Sequence, residues 1–183
     1  MSTATESTAA TAGLRGVVAA QSAIGDVNGE EGKLIYQGYD IHDLAEHSTF
    51  EEVIFLLWNG RLPKQDELDE HTARIRRNYE APKEVIDLMK QYPKESDPMD
   101  VLRTAVSSLD LYDPKGQGTD RESAVGAAVR ITGRIGTLAA AWDRIRNGKD
   151  VVAPDKNLGI AENFLYMLRG ERSEEHTSEL QSQ

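Results

Sequence analysis

The sequence predicts an all-α fold with a small β-hairpin element near its N-terminus, and two observations carry that prediction. From Thr49 onward apolar residues recur every three or four positions, the period of helices that bury one face. Strand character is confined to the stretch from Gly13 to Ile41, where Val17 and Val18 precede Asp26-Val27-Asn28-Gly29 and Leu34, Ile35 and Tyr36 follow. Asn28-Gly29 reads as a two-residue hairpin turn, because both residue types tolerate positive φ.

The helices follow in order. Thr49 with Glu52 has the spacing of a capping box, and Phe50, Val53, Ile54, Leu57 and Trp58 form an apolar face that ends at Gly60. Pro63 restarts the chain into a charged helix from Lys64 to Asn78, with Leu68, His71 and Ile75 on one side. A short helix from Pro82 to Tyr92 aligns Val85, Leu88, Met89 and Tyr92, and Pro93 closes it. Asp97 caps the next, Pro98 to Leu109, where Pro98 occupies the first turn and Val101, Leu102, Ala105, Val106 and Leu109 face inward. Pro114, Gly116 and Gly118 mark a loop from Tyr112 to Asp120.

A long helix is predicted from Arg121 to Asn147, because Val125, Ala128, Val129, Thr132, Ile135, Leu138, Ala139, Trp142 and Ile145 hold one register. Gly126, Gly133 and Gly136 interrupt it. Glycine costs about 1 kcal/mol relative to alanine in a helix interior, so three of them point to a closely approaching backbone, or to a bent or broken helix. The last helix aligns Leu158, Ala161, Phe164, Leu165 and Leu168 before Gly170 stops it. The expected total is six helices and one β element, with no internal repeat.

Composition excludes several function classes. A chain of 183 residues can bury one real core, and no apolar run approaches the roughly 20 residues that a membrane span requires. The net charge of −10, with the basic residues scattered along the chain, opposes nucleic acid and anionic membranes as partners. With no cysteine there is no disulfide framework, thiolate nucleophile or thiolate metal site, which fits a cytoplasmic location. Residues 1–12 lack the charged and apolar regions of a secretory signal and the arginines of a transit peptide, and read as a disordered tail.

Three segments carry a family resemblance. GLRGVVAAQSAIGDVNGEEGKLIYQGYDIHDLAEHSTFEEVIFLLWNGRLP (Gly13 to Pro63), PMDVLRTAVSSL (Pro98 to Leu109) and NFLYMLRG (Asn163 to Gly170) resemble, in order, the N-terminal β region and successive helices of the citrate synthase family. The resemblance runs from Gly13 to Arg169. It implies an all-α enzyme, of which residues 13–171 form an incomplete large-domain portion. It further implies a homodimer sharing its active sites, and condensation of acetyl-CoA with oxaloacetate to citrate and CoA. 2-Methylcitrate synthases use the same scaffold with propionyl-CoA. The acyl-CoA is a substrate, and no bound cofactor is implied. Family members are much longer, and the resemblance places their catalytic histidines and aspartate outside this chain. No residue here is therefore assigned as catalytic or substrate-binding, and the fragment is expected to be inactive. A different reading of the same helices is a non-catalytic module that binds a partner protein through its apolar faces.

The residues of this chain supply only weak candidates of their own. Asp43 and His47 are four apart, the minimum for a metal pair on a helix, but a credible site needs three or four ligands. Asp40, Asp43 and Glu46 read more simply as a solvated acidic turn around a helix entry, with His42 and His47 on the surface. His71 reads as a partly buried, hydrogen-bonded histidine. Arg130 and Arg134, with Arg144 and Arg146 beyond, have the spacing to meet the phosphates of coenzyme A, and equally that of a solvated helix face. Ser107 and Ser108 lack the histidine and acid partners of a nucleophile. The final segment, Arg172 to Gln183 (RSEEHTSELQSQ), has no apolar periodicity and resembles a translated sequencing adapter, so residues 172–183 are expected to be non-native and His176 without function.

Overall fold

The structure, a computed structural model, describes Ser22 and residues 24–112 and 118–171. The segments 1–12 and 172–183, Val17, Val18, Pro114, Gly116 and His176 lie outside the described residues. Three short strands, β1 (Gly25–Asn28), β2 (Lys33–Tyr36) and β3 (Tyr39–Asp40), form an antiparallel sheet in that order. Seven α-helices follow: α1 (Ile41–His47), α2 (Phe50–Asn59), α3 (Gln65–Arg76), α4 (Lys83–Met89), α5 (Pro98–Leu109), α6 (Arg121–Arg146) and α7 (Ile160–Arg169). The all-α class with a small N-terminal β element is thus the one the sequence predicts.

The turns of the sheet differ from the expected one. Asn28 pairs with Lys33, so the β1–β2 connection takes in Gly29 to Gly32, not a two-residue Asn28-Gly29 turn. Asn28 Oδ1 instead accepts from the backbone N–H groups of Glu30 and Glu31, at 3.1 Å each, and positive φ falls on Gly32. An asparagine side chain that mimics a backbone turn holds the loop without itself adopting a positive φ. The true two-residue turn is Gln37-Gly38, with φ of 50° and 89°, which brings Tyr39 opposite Tyr36. Both central residues are left-handed, the pattern of a type I′ hairpin.

A seventh helix, beyond the six counted, also stands at the acidic turn that was read as a helix entry. Asp40 is the N-cap of α1, its carboxylate accepting from His42 N–H at 2.9 Å, and only Leu44 of this helix is buried. One buried residue in seven leaves no apolar period to read. The remaining boundaries agree to within a few residues. Thr49 and Glu52 form the full capping box of α2, and Gly60 and Gly170 end α2 and α7 in the left-handed conformation.

The nine-residue core cluster joins α4, α5 and the second half of α6: Val85 and Met89 meet Val101, Ala105 and Leu109 against Leu138, Ala141, Trp142 and Ile145. A second cluster, Ile54, Ile75, Tyr79 and Val129, joins α2, α3 and the first half of α6. The long helix is therefore the shared wall of both cores, and it is continuous over 26 residues. Of its three glycines, Gly133 explains itself by backbone approach. A Cβ there would lie 2.8 Å from Asn78 O and 3.0 Å from Ile75 O, whereas one at Gly136 would make ordinary contact with Phe164. Three predicted inward positions are exposed: Phe50 on α2, Ile135 on α6 and Ala161 on α7. On α7 the buried positions are Asn163 and Met167, one turn apart.

Candidate functional site

The exit from α3 is tied both to α6 and to the segment ahead of α7. Thr137 Oγ1 donates to Tyr79 O at 2.7 Å, and Arg134 Nε donates to Glu80 O at 3.2 Å, so α6 receives the chain as it leaves α3. Tyr79, buried, passes its hydroxyl to Leu158 O at 3.2 Å, just ahead of α7. Burial pushes the Tyr79 phenol up to about 12, with the nearby Glu51 carboxylate adding to the effect. This hydroxyl stays protonated and donates throughout the physiological range. Glu51, in the first turn of α2, accepts from Ile160 N–H at 3.0 Å, so it supplies the cap that Gly159 cannot give α7.

The histidines do not converge. His42 and His47 are exposed on α1, and the nearest carboxylate to His47, that of Glu46, is 4.0 Å away. Among the described residues no three His, Asp or Glu side chains group around a metal-sized site. His71 lies on α3, half-buried between Phe55 and Trp58. Their rings stand edge-to-face with the imidazole at 5.4 and 5.5 Å, with interplanar angles of 86° and 81°. Contrary to the sequence reading, its buried Nε2 has no conventional hydrogen-bond partner. Burial lowers the His71 pKa, nearby Arg74 lowers it further, and Glu51 opposes them, so the ring is held neutral.

The arginines singled out by spacing divide by role. Arg144 Nε donates to Asp150 O and its Nη1 to Leu168 O at 3.2 Å, fixing the loop after α6 and the end of α7. Arg134 holds Glu80 O as described, and lines a small cleft with Arg130 and Ile131. Ser108 is buried and donates to Thr104 O at 2.8 Å, a bond internal to α5, while Ser107 is exposed.

Two larger cavities flank α3. One, of about 350 Å³, lies between α2, α3 and the start of α6, with His71, Trp58, Arg74 and Arg121 on its walls. Its rim holds the Arg61–Glu67 pair, in which the Arg61 guanidinium brings Glu67 down to about 2. The other, of about 720 Å³, opens on the opposite side between α3, the first turn of α2 and the segment before α7. Arg76, Arg77 and Lys156 line it. The basic residues that look scattered along the chain are thus partly gathered around the C-terminal half of α3. The run Arg74-Ile75-Arg76-Arg77 was the available signal. Lys156 joins it only through folding.

The family model described as "Citrate synthase, C-terminal domain" matches residues 13–182. Citrate synthase of Haloferax volcanii is 40% identical over 171 residues, covering 91% of this chain and 45% of that protein. 2-Methylcitrate synthase 2 of Corynebacterium glutamicum is 39% identical over 158 residues, covering 86% and 41%. The crystal structure of citrate synthase from Pyrobaculum aerophilum superposes with a TM-score of 0.82 at 32% identity, covering 88% of this chain and 42% of that one. The chain thus spans less than half the length of these relatives. With the family model matched over nearly the whole chain and the helical framework shared with a solved member, this chain belongs to the citrate synthase family.

Proposed function

We propose that this chain is the helical scaffold portion of an acyltransferase that condenses acetyl-CoA with oxaloacetate, giving citrate and CoA. The family match over residues 13–182 is the observation that carries this reading. The reaction calls for a carboxylate to take a methyl proton from the thioester, histidines to stabilise the enol and polarise the ketone, and arginines to hold the substrate carboxylates. The described residues bring no such set together, since His42 and His47 are exposed and His71 is held neutral between two aromatic rings. These groups are therefore assigned to the part of the family's length that this chain does not cover. Acyl-CoA serves as substrate and no bound cofactor is required. Propionyl-CoA, giving 2-methylcitrate, is the alternative acyl donor, supported by the relative of that name at 39% identity.

The functional form is read as a cytoplasmic homodimer. No helix among the described residues is long and apolar enough to cross a membrane. Ile131 and Ile135, one turn apart on α6, are 40% and 41% exposed at the middle of the longest helix, an arrangement that suits a subunit contact. Residues 172–183 are read as foreign to the enzyme.

Sequencing the source locus past the codon for Glu171, followed by expression of the extended frame, tests the reading. The longer protein is expected to release free CoA thiol from acetyl-CoA only when oxaloacetate is present, and the 183-residue chain to release none. A genuine stop after Gln183, with a chain that is monodisperse and inactive, would replace the enzyme reading with that of a helical partner-binding module.

A further inference from the structure

The chain contains three Asn-Gly steps, Asn28-Gly29, Asn59-Gly60 and Asn147-Gly148, and the fold treats the first differently from the other two. We propose that Asn28 is a site of spontaneous covalent modification, at which the Gly29 nitrogen displaces the side-chain amide as ammonia and leaves aspartyl and isoaspartyl forms of the β1–β2 turn. A glycine leaves its own nitrogen uncrowded, so all three steps have the composition for this reaction. Structure protects two of them. Asn59 ends α2 and Asn147 caps α6, and their Nδ2 groups donate to Phe55 O at 2.9 Å and Asp143 O at 2.7 Å. The glycine N–H groups are engaged as well, Gly60 with Leu56 O at 2.7 Å and Gly148 with Ile145 O at 3.1 Å. Nucleophile and leaving group must both be pulled from a helix end before they can react, so the reaction there waits for local opening.

At Asn28 the bonding is reversed. Its exposed side chain accepts through Oδ1, from the Glu30 and Glu31 N–H groups at 3.1 Å each. Among the described residues neither its Nδ2 nor the Gly29 N–H has a partner, because the ladder ends at the Asn28–Lys33 pair. Two donors on Oδ1 draw electron density from Cγ and hold the negative charge that gathers on oxygen in the tetrahedral intermediate, as an oxyanion hole does. Gly29 N gives its proton to a solvent base and bonds to Cγ; the Cγ–Nδ2 bond breaks, ammonia leaves, and a cyclic imide closes. Water, the sole co-reactant, then opens the imide at either carbonyl, and no oxidant or reductant is involved. One product is an aspartyl residue. In the other the main chain runs through Cγ, so the former side-chain acceptor is lost to Glu30 and Glu31 and the β1–β2 pairing loosens. Either product adds one negative charge, taking the net charge from −10 to −11.

Incubation of the full chain at mildly alkaline pH, followed by peptide mapping with mass spectrometry, tests the site, with a parallel sample held in urea. In native buffer Asn28 is expected to convert at least about tenfold faster than Asn59 and Asn147, whereas in urea the three are expected to fall within about threefold of one another. The urea sample thereby separates the effect of the fold from that of the Asn-Gly dipeptide. Gly29→Ala is expected to slow conversion of Asn28 at least about tenfold by crowding the attacking nitrogen. A Cβ at Gly29 meets nothing within 4 Å, so the turn accommodates this variant. Asn28→Asp supplies the reference for the aspartyl product on ion exchange, where the modified chain is expected to elute with it. Equal conversion at the three steps in native buffer overturns the proposal. So does an Asn28 that stays intact while the urea sample reacts, or a Gly29→Ala chain that converts as fast as the parent.

Discussion

At Gly133 an added methyl group would sit 2.8 Å from a carbonyl oxygen of the chain leaving α3, closer than real Cβ atoms approach. Gly133→Ala is therefore expected to lower stability by about 2 kcal/mol despite its better helix propensity, as a shift in urea midpoint will show. Thr137, one turn along, donates to Tyr79 O in a buried setting. Thr137→Val keeps the volume and removes the donor, so a loss of about 1–2 kcal/mol is expected in the same experiment. His71 acts through pH. Its folded pKa lies below the ordinary value of 6.5, so the unfolded chain binds the proton more readily. The contribution of the neutral ring is fully present above pH 6.5 and is lost as pH falls through the folded pKa. In His71→Phe the urea midpoint is expected to fall less between pH 7 and pH 5 than in the parent chain.

Single side chains also set the joins between elements. Glu51 belongs to α2 by sequence and to α7 by function, because its carboxylate occupies the N-terminus of a helix 109 positions away. Glu51→Ala leaves Ile160 N–H without that partner, and an expected loss of about 1–2 kcal/mol is readable by thermal melting. Thr49→Ala, which removes the capping box of α2, is expected to cost about 1 kcal/mol. That box was legible in the sequence because both partners lie within four residues. The Glu51 cap was not, since nothing near Glu51 in the chain distinguishes it from the acidic first turn of any helix. Helix α1 escaped for a related reason: Asp40 is a good N-cap, but a helix burying only Leu44 has no stripe.

For the whole molecule, both cores lean on α6, so damage to that helix is expected to unfold the two halves together. Apolar side chains left at the surface, Met99, Leu111, Ile131 and Ile135 among them, predict that the isolated chain self-associates or behaves as a molten species. Sedimentation velocity together with a thermal scan checks this. A monodisperse monomer with one sharp transition would contradict it. The histidines show the same dependence on the whole. Their number and positions could be read directly, yet that His71 is neutral and enclosed followed only from the packing of Phe55 and Trp58 around it.

The sequence by itself determined the helical class, the β element at the N-terminus, the caps and stops of most helices, and the family. Each of these rests on local physics: a 3.6-residue period, a capping pair within one turn, or a left-handed glycine. The tertiary structure alone decided that Ile135 of α6 faces outward, which of its three glycines meets another backbone, and that Lys156 stands beside Arg76 and Arg77. Those outcomes depend on helices far apart in the chain crossing at particular points, and spacing along one strand of sequence holds no record of where they cross.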